Sequence, residues 1–410
     1  MEALKIRSSS ISDALRDELE ARTQLNNDDP FIIADVGEVI ERLTEWRKRL
    51  PMVQPFYSLK CNSDPEIVKI LCKEGIGFDC ASKGEIQCVL NHGVSPSRII
   101  FANVVKATTH LQFAKKQKVA LMTFDNLAEL HKISRYYSDA EVVIRILIEG
   151  TRSKYSLGGK AGAPLSTVDT LLQKAKDLGV NVVGVSFHVG CMCFDPVSYE
   201  RALMQAREVF DIGKTYGYQF KLLDIGGGFP GDLKYDGSFA DMADTIRICL
   251  KKLFPSNIRV IAEPGRYLVA SAYVLATSVI GRRMNAPESV RSSVKWMYYL
   301  NEGLYGCFSM ITSGSIVVRP KILSHNRKFY YTRDSELNDQ LQHEPRFTSI
   351  LWGPTCDTAD CLFNNILLPE LQVDDWIVFD SMGAYTTGTS TEFNGFPKTE
   401  ILYINSSADC

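Results

Sequence analysis

Eight short apolar runs separated by helix-like stretches occupy the chain from Pro55 to Gly265, and no other feature limits the fold so tightly. The runs are Pro55–Lys60, Ile76–Ser82, Ile99–Asn103, Leu121–Asp125, Glu141–Ile146, Val182–Val189, Lys221–Gly227 and Arg259–Gly265. Stretches such as Asp64–Glu74 and Tyr199–Tyr216 lie between them. This alternation predicts a TIM-type (β/α)8 barrel, with a parallel sheet inside and helices outside. Active sites of such barrels lie at the carboxyl ends of the strands. Those ends carry Lys60, Asp79, Asn103, Asp125, Arg145, His188, the Gly226-Gly227-Gly228 turn, and Glu263 with Arg266. The alternation therefore predicts that all of them converge on one mouth.

After Tyr267 the pattern changes to β-rich runs punctuated by Pro, Gly, Asn and Asp. They are Ala272–Arg282, Lys295–Leu300, Ser315–Ile322, Lys328–Thr332, Phe347–Trp352, Asp375–Phe379 and Ile401–Ile404. The chain opens with a helix or strand, followed by a strand candidate, Phe31–Val36, and an amphipathic stretch, Asp35–Leu50. The expected division is a barrel over residues 36–268 and a mostly antiparallel β domain, sandwich or barrel, from residues 1–35 and 269–410. A length of 410 residues with 45% apolar content supports two such cores.

A net charge of −2 offers nucleic acid no electrostatic footing. No apolar stretch approaches the ~20 residues that span a bilayer, so no membrane partner is expected. Met1-Glu2-Ala3-Leu4-Lys5 lacks a secretory apolar core, and the 11 cysteines then read as reduced thiols of a cytoplasmic protein. His188, Cys191 and Cys193 are close in sequence, but no second pair completes a zinc set, and no metal site is expected.

Lys60 ends an apolar run beside Phe56, Tyr57 and Leu59. A strand lysine ordinarily leaves for solvent; one held in an apolar site at the catalytic end is a usable nucleophile for a carbonyl. Asp224-Ile225-Gly226-Gly227-Gly228 and Glu263-Pro264-Gly265-Arg266 follow the last two runs, where barrels commonly bind phosphate. Glu263 reads as a partner either for Arg266 or for a ring nitrogen. His188 reads as a core residue or as a stacking surface. Pyridoxal 5′-phosphate uses a lysine, a phosphate cradle, a ring carboxylate and a stacking imidazole together. An aldolase of phosphorylated sugars would need only the first two.

In these motifs, and in Gly77-Phe78-Asp79-Cys80-Ala81-Ser82, Trp352-Gly353-Pro354-Thr355-Cys356-Asp357 and Met382-Gly383-Ala384-Tyr385-Thr386, the chain resembles the eukaryotic ornithine decarboxylase family over almost its whole length. The resemblance implies fold-type III pyridoxal-phosphate chemistry on the alanine racemase-like fold. It implies Lys60 as the lysine that binds the cofactor covalently, Asp79 beside it, His188 on the ring and Glu263 at the pyridine nitrogen. Cys191, Gly227, Gly228, Gly265, Arg266 and Tyr385 fall at phosphate- and cofactor-binding positions. Cys356 is implied as the proton donor. Asp357, Ser313, Gly314 and Phe393 fall at substrate-binding positions. The family shares its sites across a head-to-tail homodimer, with Cys356 and Asp357 reaching the neighbouring copy.

Three departures matter. Cys191 stands where the family has a phosphate-binding serine. Ser156-Leu157-Gly158 replaces an Arg-Leu-Ser element. Ser313-Gly314 replaces a Tyr-Asp pair whose Asp holds the distal ammonium of ornithine. An ammonium left poorly paired in a partly dry pocket costs several kcal/mol, roughly a few orders of magnitude in specificity. The expected substrate is therefore a neutral aliphatic amino acid, leucine-like, ahead of ornithine or lysine for polyamine synthesis. A non-catalytic regulator like the antizyme inhibitors ranks third, because Lys60, Asp79, Arg266, Cys356 and Tyr385 are all present. The family's antizyme-binding region corresponds to Lys106–Ile146, which carries Lys115, Lys116, Lys118 and Lys132.

Overall fold

The computed structural model describes residues 6–155, 159–284, 294–314, 317–333, 341 and 343–407. The chain divides into two compact units, Arg42–Leu268 and Met1–Glu41 with Val269–Cys410.

The first unit is the expected closed barrel. Its strands are β1 (Val53–Ser58), β2 (Gly77–Cys80), β3 (Ile99–Phe101), β4 (Leu121–Phe124), β5 (Glu141–Ile146), β6 (Asn181–Phe187), β7 (Leu222–Asp224) and β8 (Arg259–Ala262). All neighbours are parallel, and β8 closes on β1. Phe56, Ile100, Ala102, Leu121, Val143, Leu222 and Ile261 fill the interior, so the barrel is a packed core. Helices start where the chain supplies caps. Asp64 accepts from Glu66 N at 2.9 Å before Pro65, and Asn126 accepts from Glu129 N at 2.9 Å.

After β3 the chain buries a complete ion pair. The Lys106 ammonium reaches Glu129 at 2.9 Å and donates to the carbonyls of Thr123 at 2.6 Å and Asn103 at 3.0 Å. Burial pulls Lys106 down from 10.5 to about 8, with Glu129 opposing the fall. Lys106→Met leaves the Glu129 carboxylate buried with the partly exposed Lys132 at 2.6 Å as its charged partner, beside the backbone N–H of residue 106 at 3.3 Å. It should lower stability by ~3–5 kcal/mol in urea unfolding. The depressed lysine favours the fold above its unfolded pKa, and that favour is lost as pH falls through about 8. The gap between wild type and Lys106→Met should therefore widen from pH 8 upward.

In the second unit, helix Ile11–Leu25 packs on the sheet through Ile11, Leu15 and Leu19. Strand Phe31–Asp35 joins that sheet, antiparallel to Tyr273–Met284 and parallel to Glu400–Asn405. Tyr273–Met284 also pairs with Trp376–Phe379 and Trp296–Leu300. The run placed at Ser315–Ile322 begins outside the described residues, and a strand there spans Pro320–His325; that at Lys328–Thr332 shortens to Lys328–Phe329. A strand not anticipated, Cys361–Leu368, pairs with Phe347–Trp352.

Candidate active site

The barrel strands end early and hand their polar residues to the turns that follow. Strand β1 stops at Ser58, and Lys60 sits on a 3-10 turn, Leu59–Cys61, rather than on the strand itself. Gly265 lies against this turn; a Cβ there would stand 2.9 Å from Cys61 Cβ and 3.2 Å from Ser58 Cβ. The Lys60 ammonium pairs with the buried Asp79 at the end of β2. Ser58 Oγ donates to the same Asp79 oxygen at 2.6 Å, and the other oxygen, Oδ1, is buried with no hydrogen-bond partner.

His188 follows β6. Its Nδ1 accepts the Gly190 N–H at 3.0 Å, which leaves the ring proton on Nε2. Burial, reinforced by the Arg145 and Lys60 charges, holds the imidazole well below its usual range, so it is neutral. Neutral and flat, it is suited to lie against a ring. A Cβ on Gly227 would come within 3.0 Å of His188 Nε2 and 2.8 Å of Glu263 O, so only glycine fits beneath the imidazole. Cys191 is largely buried, and burial pushes its thiol up against the pull of Arg266, Lys60 and Arg145. It is a neutral thiol with a weak S–H donor.

Two carboxyls face each other across β7 and β8. Asp224 accepts from Ser186 Oγ and Gly226 N, both at 2.9 Å. Burial still raises it to about 6. Glu263 is raised well above the usual range by burial, then by Asp224 and Asp79. Its Oε1 is buried and unpartnered. A buried carboxyl with an orphaned oxygen needs a cationic N–H to be charged at neutral pH. A protonated pyridine nitrogen is such a group, so the donor set fits pyridoxal phosphate: Lys60 for the aldehyde, His188 for the ring face, and Glu263 for the ring nitrogen.

Three residues of this mouth were not read from sequence: Ser58, Asp224 as a partner of Glu263, and Glu85. Glu85 accepts from Ala81 N at 2.5 Å and is raised chiefly by burial, with Asp79 adding to the rise. Ser82-x-x-Glu85 carries a capping-box signature, which hid its place beside Lys60 and Asp79.

The β unit holds the remaining residues. Cys356 and Asp357 follow strand Phe347–Trp352, and Cys356 is exposed. The Tyr305 hydroxyl donates to Asp357 Oδ2, and Ala359 N donates to Oδ1 at 2.9 Å. The Ala359 N–H first, and then the Tyr305 hydroxyl, hold Asp357 below the usual carboxylate range, so it is charged. The Phe393 ring stacks on Tyr305 with centroids 4.3 Å apart. Ser313 and Gly314 close the turn after a 3-10 segment, Ser309–Ile311, with Gly314 N donating to Ile311 O at 2.8 Å. Tyr385 has a left-handed backbone, φ 59°. Ser156-Leu157-Gly158 lies outside the described residues. No helix among the described residues is long and apolar enough to cross a membrane.

Residues 36–270 match the pyridoxal binding domain of pyridoxal-dependent decarboxylases. The chain is 43% identical to the ornithine decarboxylase of Schizosaccharomyces pombe over 92% of its own length and 84% of that protein. It is 42% identical to antizyme inhibitor 2 of Xenopus laevis over 95% of its own length and 84% of that protein. The arginine decarboxylase of Paramecium bursaria Chlorella virus superimposes with a TM-score of 0.86 at 35% identity, over 96% of this chain and all of that one.

Proposed function

The chain belongs to the pyridoxal-dependent decarboxylases of the ornithine decarboxylase family, and from that premise we propose that it decarboxylates a neutral aliphatic L-amino acid, leucine or a close relative, to its amine. One observation carries the choice of substrate: Ser313 and Gly314 end the turn where the family places the Asp for a distal ammonium. Asp357 is left as an acidic group at the substrate positions, and both of its oxygens already accept hydrogen bonds. A second ammonium is served less well than an alkyl chain.

Bound pyridoxal phosphate supplies an aldehyde that takes up the substrate amine and a ring that draws off the electron pair released with carbon dioxide. The protein does the rest. Asp79 holds the Lys60 amine at the cofactor's aldehyde position. Glu263 keeps the ring nitrogen protonated, and the Gly226–Gly228 backbone with Arg266, Cys191 and Tyr385 binds phosphate. His188, neutral and backed by Gly227, fixes the plane of the ring. Cys356 then gives its proton to the α-carbon.

The same reading makes the protein a cytoplasmic homodimer in which Cys356 and Asp357 serve the neighbouring copy. Its support is the position of Cys356 and the 41% exposed Phe393 at the surface of the β unit. Purified protein with added cofactor should form amine from leucine faster than from ornithine or lysine, with products identified by mass. Faster turnover of ornithine would return the chain to polyamine synthesis. Antizyme binding stands as a second reading on one observation, the similarity to the Xenopus antizyme inhibitor. Pull-down with antizyme and no amine from any amino acid would favour it.

A further inference from the structure

Cys356 is held by a residue to which no role has been given. The side-chain oxygen of Asn394 accepts both the backbone N–H and the thiol of Cys356, each at 3.3 Å. Asn394 lies in the left-handed region, φ 57°, and Gly395 follows at φ 78°. Among non-glycine residues, Asn is one of the few that tolerate this conformation. The segment is pinned from the other side as well. Thr391 donates to the Tyr305 carbonyl through its N–H at 2.8 Å and its hydroxyl at 2.9 Å. Phe393 stacks on the Tyr305 ring, and the Tyr305 hydroxyl holds Asp357. Tyr305 and Asn394, on two segments braced against each other, thus grip two neighbouring residues, Asp357 and Cys356.

We infer that Asn394 is the positioning residue that aims the Cys356 thiol at the α-carbon. The inference rests on Cys356 being the proton donor. An amide oxygen only accepts, so the shared hydrogen stays on sulfur until delivery. In that step the S–H bond breaks, a C–H bond forms at the α-carbon, and the thiolate recovers its proton from water. Without the amide, the side chain is free to occupy other rotamers. With pyridoxal phosphate bound, a proton from water would then reach the cofactor's own carbon instead of the α-carbon. Water hydrolyses the resulting C=N bond, so the product leaves as an aldehyde and the cofactor as pyridoxamine phosphate.

Asn394→Gly keeps the left-handed backbone and deletes the amide, whereas Asn394→Asp keeps an oxygen acceptor in place. The Gly variant should raise the aldehyde-to-amine ratio about tenfold, the factor that one hydrogen bond is worth. The Asp variant should restore most of the amine. A second readout needs no turnover: iodoacetamide labelling of Cys356, followed on its peptide by mass in protein without substrate. Labelling should be several-fold faster in the Gly variant and near wild type in the Asp variant. An unchanged product ratio, or equal labelling in all three proteins, overturns the inference. If the wild type forms no amine from any amino acid, the substrate reading has failed, and labelling alone decides the role of Asn394.

Discussion

Lys60→Ala should give a folded protein that binds pyridoxal phosphate only reversibly and does not turn over. The turn Leu59–Cys61 places the lysine amine on the buried Asp79. Removal of the amine deletes the nucleophile that holds the aldehyde. It also leaves the Asp79 carboxylate buried, with the Ser58 hydroxyl as a hydrogen-bond donor to it. Covalent catalysis and correct positioning together are worth roughly 7–11 kcal/mol in well-oriented systems, so activity should fall by at least ~10⁴-fold. The absorbance of the lysine-bound cofactor should vanish, and borohydride should no longer fix the cofactor to the chain. A coloured, active Lys60→Ala protein would remove Lys60 from the site.

The same variant tests the sharing of sites between copies. Lys60→Ala and Cys356→Ala proteins should each be inactive as amine producers. Mixed, and allowed to exchange subunits, they should recover about a quarter of wild-type activity, because half of the dimers then carry one intact site of two. No recovery at any mixing ratio would place Lys60 and Cys356 in one copy.

The barrel was legible because its runs are short and mostly apolar, with a polar residue at or just past the end of each. Glu141–Ile146 and Phe347–Trp352 fall where the pattern put them. The candidate site residues just past the strand ends were legible for the same reason. What was hidden had a second, ordinary meaning. Glu85 looks like a cap, and Asn394-Gly395 looks like a turn; yet Glu85 also feels the charges of Asp79 and Lys60, and Asn394 also touches Cys356. Strand Cys361–Leu368 was missed because Asn364-Asn365 interrupts its apolar pattern. Register shifts in its pairing with Phe347–Trp352 absorb the irregularity, and no sequence alternation announces them. The Asp224–Glu263 pair needed the barrel itself, since only closure of β7 on β8 brings two carboxyls from separate turns together.

Gly314→Asp should move the preference of the enzyme toward ornithine. The backbone at Gly314 has φ 68°, and its N–H donates to Ile311 O at 2.8 Å. An L-residue in that region costs ~1–2 kcal/mol, and Asp is among the residues that bear it best. The turn should therefore survive the change. On the proposed substrate reading, the new carboxylate would stand where the resemblance puts the family's ammonium-binding Asp and would supply the counter-ion that Ser313-Gly314 lacks. A charge pair in a partly dry pocket should raise kcat/KM for ornithine over leucine by ~10²-fold. Gly314→Asn is the control. It carries the same shape and the same backbone cost without the charge, so it should leave the ratio near wild type. A shift of equal size in the Asn variant would assign the effect to volume rather than charge. No shift in either would mean that Asp357, despite its bonds to Tyr305 and Ala359, already governs the distal end of the substrate. In that case Asp357→Asn, not Gly314→Asp, would change which amine is made.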